Sequence, residues 1–258
     1  MIGEPKLLEK EAHTFFSEEK FLEAFGLFKK AAQGYREAGL HKQAALCFAS
    51  AATCWSKKSG EKIFYNAAKT YEEAASETFK SGDLEYASIL YRYAAINYER
   101  DREFINFSDC FYYSKEAYRK FLTYRLFLPN KINPIVASKE KEGVRGFIKR
   151  LFLWILLTVS FVTWGHGERP LRTFFTGTII VVLCALGYTY GFLTEGSVAF
   201  RPSYFEAFYF SIVTFTTLGY GDIAPIGAAR SLAAAEAFSG IFIMPLFLIG
   251  LSRKYLRI

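Results

Sequence analysis

One uncharged apolar run constrains the fold more than any other feature of the chain. Residues 174–193, FFTGTIIVVLCALGYTYGFL, contain no charged side chain over twenty positions, which is enough for a helix to cross a bilayer. A second apolar segment follows at residues 228–251, while charged residues crowd the first 150 positions. Because isolated segments cross a bilayer as helices, we expect an all-α chain with a soluble amino-terminal half and a membrane-embedded carboxyl-terminal half.

The soluble half has the periodicity of packed helices. Apolar residues recur at gaps of three and four in five stripes, over residues 21–35, 40–54, 64–75, 84–98 and 104–121. Gly39, Gly60 and Gly82 separate stripes at positions where a helix end favours a residue that tolerates positive φ. A pair of helices therefore repeats about every 43 residues, as in helical-hairpin solenoids. We predict a cytosolic helical-repeat domain over residues 1–128, whose concave face could bind an unknown ligand or protein.

The sequence of this domain resembles the soluble NSF attachment protein family. The stretch AAQGYREAGLHKQAALCFASAATCW carries the resemblance, which covers about residues 15–125. It implies a tetratricopeptide-like array of helices. Cys47 and Cys54 lie seven residues apart on one stripe and are expected to be buried. His13, His41 and His166 show no metal-ligand spacing and are expected at the surface or at helix caps.

The net charge of +7 does not indicate a nucleic-acid partner, because the basic residues form no single tract. Several flank the apolar segments instead, where cations mark the cytoplasmic ends of membrane helices; these are Lys149, Arg150, Arg169, Arg172, Arg253, Lys254 and Arg257. The sequence contains no glycine-rich phosphate loop, carboxylate pair or nucleophile motif. We therefore expect neither an enzyme nor a cofactor.

The segment between the two halves raises a question of topology. Residues 129–146 are predicted to be a linker, because prolines and a charged run interrupt the helical pattern there. The apolar segment 151–164 has fourteen residues, about 21 Å of helix against about 30 Å of hydrocarbon. Both of its flanks are basic, so both ends favour the cytoplasm. We predict an amphipathic helix over residues 147–166 in the inner interface; the alternative, a third span, would put the helical repeats outside the cell.

Two spans would leave both termini in the cytoplasm and a connecting loop at the outer face of the plasma membrane. In this loop Ser203-Tyr204-Phe205-Glu206 forms a capping box, which predicts a short helix over residues 204–215. The carboxyl end of this helix carries partial negative charge and leads into TFTTLGYGDIAP, residues 214–225. A cation would be favoured at that end.

This run has the composition of a backbone that lines an ion path. Successive carbonyls face one axis only if residues alternate between ordinary and left-handed dihedrals, which glycine adopts at low cost. Gly219 and Gly221 flank Tyr220 at this alternation, and Thr217 can add a side-chain oxygen. Four copies would stack rings of oxygen that replace the water around a cation. Since each chain has one such segment, the ring requires a homotetramer in a lipid bilayer.

The residues TFTTLGYGD resemble the signature of the two-transmembrane potassium channel family, and the resemblance covers about residues 168–252. It implies a pore domain over residues 167–258, with an outer helix at 174–193, a filter at 216–222 and an inner helix at 228–251. K⁺ would be held in the filter by Thr217, Leu218, Gly219, Tyr220 and Gly221. Support for the filter is expected from Thr214, Thr216, Asp222, Tyr209 and Phe210. Gly240 is implied as a hinge of the inner helix, which could also bend at Pro245 and Gly250.

Two positions depart from the family's pattern. Leu218 replaces the more frequent valine, and Val213 stands where some relatives keep a glutamate that binds the aspartate beside the filter. The sequence predicts a tetrameric K⁺-selective channel that conducts passively and is gated through its helical repeats. Two alternatives remain open, a membrane-anchored adaptor with a vestigial pore and a weakly selective cation channel.

Overall fold

A computed structural model describes residues 3–58, 63–128 and 144–255. The chain divides into two compact units, Met1–Val159 and Ser160–Ile258. The predicted helical class is confirmed, with the addition of one small sheet. The helices are α1 (Gly3–Ser17), α2 (Phe21–Glu37), α3 (His41–Lys57), α4 (Ile63–Lys80), α5 (Leu84–Arg100), α6 (Phe104–Phe127), α7 (Val144–Trp164), α8 (Pro170–Thr189), α9 (Tyr204–Phe215) and α10 (Ala229–Tyr255). The strands are β1 (Phe192–Glu195), β2 (Val198–Phe200) and β3 (Ile223–Ile226).

In the first unit each helix from α1 to α6 packs against the next. The five predicted stripes correspond to α2–α6, and α1 was not predicted. The main core cluster is rich in small residues that let helices approach closely, such as Ala31, Ala44 and Ala75. Cys47 and Cys54 are buried, as predicted. The helical array is therefore held together by neighbour-to-neighbour packing, as in a solenoid.

The turns between these helices share a left-handed residue. Gly39 and Gly82 have φ of 73° and 86°, as the sequence predicts, whereas Gly60 lies outside the described residues. Glu19 and Arg102 adopt φ of 60° and 62° at the ends of α1 and α5. Residues other than glycine seldom adopt the left-handed region. Because neither of these turns contains a glycine, the spacing of glycines did not predict them.

A buried carboxylate joins α2, α3 and α4. The side chain of Glu77 is 1% exposed, accepts from His41 at 2.7 Å and Lys80 at 3.0 Å, and forms an ion pair with Arg36, whose Nε lies at 2.9 Å. Burial raises the pKa of Glu77, but hydrogen bonds from His41 and Lys80 and the charge of Arg36 outweigh it, so the pKa lies below its usual value. His41 is thus part of an interhelical ion cluster, which the sequence did not indicate.

Helix α7 corrects the length argument made from the sequence. It has 21 residues, about 31 Å of helix, because Val144–Arg150 continue the helix before the apolar segment 151–164. Three helices, Val144–Gly167, Pro170–Thr189 and Ala229–Tyr255, are long and apolar enough to cross a membrane. The last three residues of the predicted linker 129–146, from Val144 to Gly146, belong to α7, and the rest of the linker lies outside the described residues. The interfacial placement of 147–166 stays a prediction.

The sides of α7 have different surroundings within the first unit. Trp154 Nε1 donates to Thr123 Oγ1 of α6 at 2.9 Å, and Leu157 joins a cluster with Leu84, Phe121 and Leu122. At 100° per residue the opposite side carries exposed apolar side chains, namely Ile148, Phe152, Ile155, Leu156 and Val159. One side of α7 is thus covered by the helical array, and the other carries exposed apolar side chains.

The second unit contains α8, α9, α10 and the sheet. Helix α9 has the predicted bounds 204–215. The outer helix α8 starts four residues before the predicted 174–193, because Pro170 suits the first helical turn. It also ends four residues earlier, because Phe192 and Leu193 belong to β1. The inner helix α10 continues past the predicted 228–251 through Arg253 and Lys254.

The sheet was not predicted from the sequence. Its order is β2-β1-β3 and both pairings are antiparallel. The turn between β1 and β2 has two residues and Gly196 in it has φ of 60°. Leu193 is fully buried in a cluster with Tyr188, Phe210 and Ala229. The sheet therefore fixes the end of α8 to the segment that follows the predicted filter.

A short 3₁₀ turn, Gly165–Gly167, precedes α8. His166 in this turn is buried with φ of 58°, and its Nδ1 lies 3.0 Å from Ser160 Oγ. His166, expected at the surface or at a helix cap, is therefore not at the surface. Glu168 is buried and lies 3.5 Å from Arg253 Nη2 at the end of α10. An ion pair thus links the start of the outer helix to the end of the inner helix.

Candidate functional site

Helix α9 is fixed at its start by the predicted capping box. Ser203 N donates to Glu206 Oε2 at 2.7 Å, and Ser203 Oγ accepts from Glu206 N. Hydrogen bonds from the Ser203 backbone and hydroxyl hold the pKa of Glu206 below its usual value. The capping box thus fixes the start of α9, and the carboxyl end of this helix leads into residues 216–222.

The carboxyl end of α9 is bonded directly to the segment that follows. Thr217 N donates to Thr214 O and Leu218 N donates to Val213 O, both at 3.0 Å. Thr216 Oγ1 donates to Ile212 O at 2.7 Å. These bonds satisfy carbonyls that a helix end leaves open. Thr214 and Thr216, predicted to support the filter, therefore lie in the bonded junction between α9 and residues 217–221.

The backbone of this segment alternates as the sequence predicts. The φ angles of Thr217, Gly219 and Gly221 are 58°, 56° and 81°, so every second residue is left-handed. Thr217 was not expected to take part, since a β-branched residue at positive φ is an outlier. Such strain is found where surrounding structure holds a functional backbone. The alternation is the geometry that lets carbonyls of neighbouring residues face one axis.

The same segment is exposed in the single chain. Leu218 is 60% and Tyr220 is 67% exposed. A Cβ built on Gly219 or Gly221 would meet no atom within 4 Å. An irregular backbone at membrane depth persists only where it lines a polar cavity or is covered by protein. Within the part of the chain that the structure describes, a single chain provides neither for these residues.

Asp222 follows the segment and is held by α9. Tyr209 Oη donates to Asp222 Oδ2 at 2.7 Å, and this bond holds the pKa of Asp222 below its usual value. The same bond raises the pKa of Tyr209. Val213, at the position where some relatives keep a glutamate, is buried. Tyr209 is thus the residue of α9 that bonds Asp222 in this chain.

Phe210 has a different role from its neighbour. Its ring packs edge-on against Tyr188 of α8, with centroids 4.9 Å apart, and it belongs to the core cluster under the sheet. Directly after Asp222 the chain enters β3, where Ile223 pairs with Glu195 and Ile226 pairs with Phe192. The segment 216–222 is therefore anchored at one end by α9 and at the other by the sheet.

The three hinge candidates of α10 have distinct environments. A Cβ on Gly240 would collide with the carbonyl oxygen of Phe215. A Cβ on Gly250 would lie 3.3 Å from Pro170 Cβ. Pro245 lies inside the helix, where it removes one backbone hydrogen bond. Close packing against α9 and α8 therefore accounts for both glycines, and a hinge at any of the three stays a prediction.

A buried polar cluster next to α9 was missed in the sequence. Glu236 of α10 is 1% exposed. Tyr188 Oη donates to Glu236 Oε2 at 2.6 Å, and Ser211 Oγ is bonded to Glu236 Oε1. The signal was present, since a lone acid in a membrane helix is costly and seldom lacks a role. The cluster joins α8, α9 and α10 immediately behind the carboxyl end of α9.

No group of His, Cys, Asp and Glu within residues 3–58, 63–128 and 144–255 could hold a metal ion. Backbone carbonyls and a threonine hydroxyl, such as those of residues 217–221, are a different class of oxygen ligand, one that can replace the water around a dehydrated cation.

Comparison with known proteins gives two separate matches. Residues 173–256 match the family described as "Ion channel", and residues 3–121 match the family described as "Soluble NSF attachment protein, SNAP". No solved structure matches the chain. The two matches confirm both resemblances seen in the sequence.

The similar curated proteins are potassium channels. The voltage-gated potassium channel Kch of Escherichia coli (strain K12) is 34% identical over 35% of the chain and 22% of its own length. The calcium-gated potassium channel TvoK of Thermoplasma volcanium is 39% identical over 29% of the chain and 22% of its length. Two pore potassium channel b of Oryza sativa subsp. japonica is 48% identical over 17% of the chain and 13% of its length.

These similarities cover about a fifth or less of each relative, and no relative named is an enzyme. The chain is thus similar to the ion-channel family over residues 173–256 and to the SNAP family over residues 3–121.

Proposed function

We propose that the protein is a K⁺-selective channel that conducts K⁺ passively across a membrane. The observation that carries the proposal is the left-handed backbone at Thr217, Gly219 and Gly221, directly after a capped helix and between two helices long enough to span. In this proposal the carbonyls of residues 217–220 and the Thr217 hydroxyl bind the dehydrated ion. Gly221 is the last left-handed residue of the alternating backbone.

The proposed channel is a homotetramer. Leu218 and Tyr220 are exposed in one chain, and a single strand cannot surround an ion. Fourfold cyclic symmetry brings one strand from each subunit to a common axis and covers these side chains. Asp222, held by Tyr209, stands in this proposal at the outer mouth of the filter.

The proposed topology has two membrane spans, with both termini in the cytoplasm. The membrane is proposed to be the plasma membrane. The topology is supported by the contact of Leu153, Trp154 and Leu157 with the helical array. If α7 crossed the bilayer, the array beside it would enter the hydrocarbon with charged residues such as Glu85 and Arg125, which line a pocket with Leu153. An interfacial α7 instead places its exposed apolar side in lipid and the array in water.

Gating through the helical repeats is part of the proposal. Helix α7 contacts α6 through Trp154 and continues into the turn that carries Glu168. Glu168 is paired with Arg253 at the end of the inner helix. A ligand or protein on the array could act on the pore through this continuous route.

Purified protein in liposomes tests the proposed function. We expect a particle with the mass of four chains and release of K⁺ in preference to Na⁺. A monomeric or dimeric particle, or vesicles that hold K⁺ under every condition, would contradict the proposal and favour an adaptor with a vestigial pore.

A further inference from the structure

Glu236 is the single acidic residue of α10, and the mechanism proposed above does not use it. Its side chain is 1% exposed and lies within the inner helix of the membrane unit. An ionised carboxylate at such a place is costly unless a cation or several donors compensate it. Among the residues that the structure describes, no Lys, Arg or His forms an ion pair with Glu236.

The groups that face this carboxyl come from two neighbouring helices. Helix α8 contributes the Tyr188 hydroxyl, at 2.6 Å from Oε2, and the Cys184 thiol. Helix α9 contributes the Ser211 hydroxyl, bonded to Oε1. Neither helix places a charged side chain on the carboxyl, so the hydrogen bonds alone must satisfy it.

The hydrogens of this cluster can be counted. Ser211 Oγ lies 2.8 Å from the carbonyl oxygen of Val181, which can only accept. The serine hydroxyl has a single hydrogen, and the bond to Val181 uses it. Glu236 Oε1 is then bonded to Ser211 Oγ with a hydrogen of its own, which requires the protonated acid. Tyr188 donates to the other oxygen, so every polar atom of the acid has a partner.

We propose that Glu236 is a positioning residue that acts as a neutral, protonated acid and fastens the inner helix α10 to α9 behind the proposed filter. The O–H of the acid forms a hydrogen bond to Ser211 Oγ, and the Ser211 hydroxyl donates to the carbonyl oxygen of Val181. The Tyr188 hydroxyl donates to the carbonyl oxygen of the acid. One turn further along α10, Gly240 lies against the Phe215 carbonyl. The two contacts together couple the position of α10 to that of α9, and hence to the residues bonded to the end of α9.

This inference rests on the proposed channel function for its consequence but not for the protonation itself. A glutamine at position 236 reproduces the neutral acid, because its amide donates to Ser211 and its carbonyl accepts from Tyr188. An alanine removes both bonds. We therefore expect Glu236→Gln to keep the K⁺ flux and the K⁺ over Na⁺ preference, and Glu236→Ala to reduce one or both about tenfold.

The decisive measurement is infrared spectroscopy of the full chain in lipid vesicles at neutral pH. The difference between wild type and Glu236→Gln is expected to show loss of the carbonyl stretch of a protonated carboxylic acid. Glu206→Gln provides the matched control, because Glu206 is an exposed carboxylate with a lowered pKa; its difference spectrum should show loss of carboxylate bands only.

The outcomes separate this inference from the channel proposal. A difference spectrum of Glu236→Gln that contains carboxylate bands alone would overturn the inference. A Glu236→Gln protein that fails to assemble, or that loses flux as severely as Glu236→Ala, would also overturn it, since acid and amide make the same bonds. Wild-type vesicles that pass no K⁺ would overturn the channel proposal and leave the infrared result to decide the protonation.

Discussion

Tyr209 Oη donates a 2.7 Å hydrogen bond to Oδ2 of Asp222, which joins α9 to the last residue of the predicted filter, 216–222. At the position where some relatives have a glutamate, this chain has the apolar residue Val213. In the described part of the chain, the tyrosine is therefore the side chain of α9 that fixes Asp222. Removing its hydroxyl should loosen the outer end of the filter without changing the filter sequence.

We expect Tyr209→Phe to reduce K⁺ selectivity and to shift the acid sensitivity of the flux. The bond holds the pKa of Asp222 below its usual value, so in Tyr209→Phe the pKa of Asp222 rises. Loss of flux on acidification, caused by protonation of Asp222, should therefore begin at a higher pH than in wild type.

Flux of K⁺ measured against external pH checks this prediction. Tyr204→Phe is the matched control. Tyr204 lies on the same helix, and its substitution removes an equivalent hydroxyl that is not bonded to Asp222. Identical pH profiles for Tyr209→Phe and wild type would contradict the account of Asp222.

The alternating backbone makes Gly219→Ala a second test. Gly219 has φ of 56°, and an L-residue in the left-handed region costs about 1–2 kcal/mol. In a tetramer this strain falls on all four subunits at the same ring of oxygens, so we expect loss of K⁺ selectivity or of current.

Gly196→Ala separates strain in general from strain in the filter. Gly196 has φ of 60° in the turn between β1 and β2, so the substitution imposes a similar backbone cost elsewhere in the pore unit. We expect reduced thermal stability with selectivity retained. Equal losses of selectivity in both variants would argue against a special role for residues 217–221.

Gly240→Ala tests whether this glycine is needed for packing or for bending. The added Cβ would collide with the Phe215 carbonyl, and forcing extra atoms into a packed contact typically costs about 1–3 kcal/mol. We expect a lower thermal midpoint of the assembled protein as well as altered flux. Gly250→Ala, whose Cβ would lie 3.3 Å from Pro170, should have a smaller effect. Unchanged stability with altered gating would instead favour the hinge.

The pair between Glu168 and Arg253 predicts a change in gating. Their charged atoms lie 3.5 Å apart, with Glu168 nearly buried. We expect Glu168→Gln and Arg253→Gln each to change the open fraction, and the double variant to differ from the sum of the two because the residues are in contact. Single-channel recording or flux at low and high salt measures this coupling. Strictly additive effects would show that the ion pair between these two residues does not contribute to gating.

The sequence was most informative where one local interaction determines the structure. Ser203 and Glu206 form a capping box whose partners lie three residues apart, so the start of α9 could be placed to the residue. Gly219 and Gly221 likewise carry their backbone requirement in their identity. These positions depend on few distant contacts, and their prediction needed no tertiary information.

Features set by tertiary contacts were not predictable in the same way. Thr217 adopts positive φ because bonds to the end of α9 hold it there, against its own preference. The strands have three or four residues and show no apolar alternation long enough to detect. The bonds of Glu236 join residues 25 and 48 positions apart. Helix α7 is longer than its uninterrupted apolar segment because a stretch that contains Arg145, Lys149 and Arg150 forms its first two turns.

The central claim is that four chains hold dehydrated K⁺ with the backbone oxygens of residues 217–220. The most direct measurement is the reversal potential of the purified full chain in a planar bilayer with K⁺ on one side and Na⁺ on the other. The account predicts a reversal potential close to that of a purely K⁺-permeable membrane. A value near zero would show that the pore does not distinguish the two ions, and would contradict the claim.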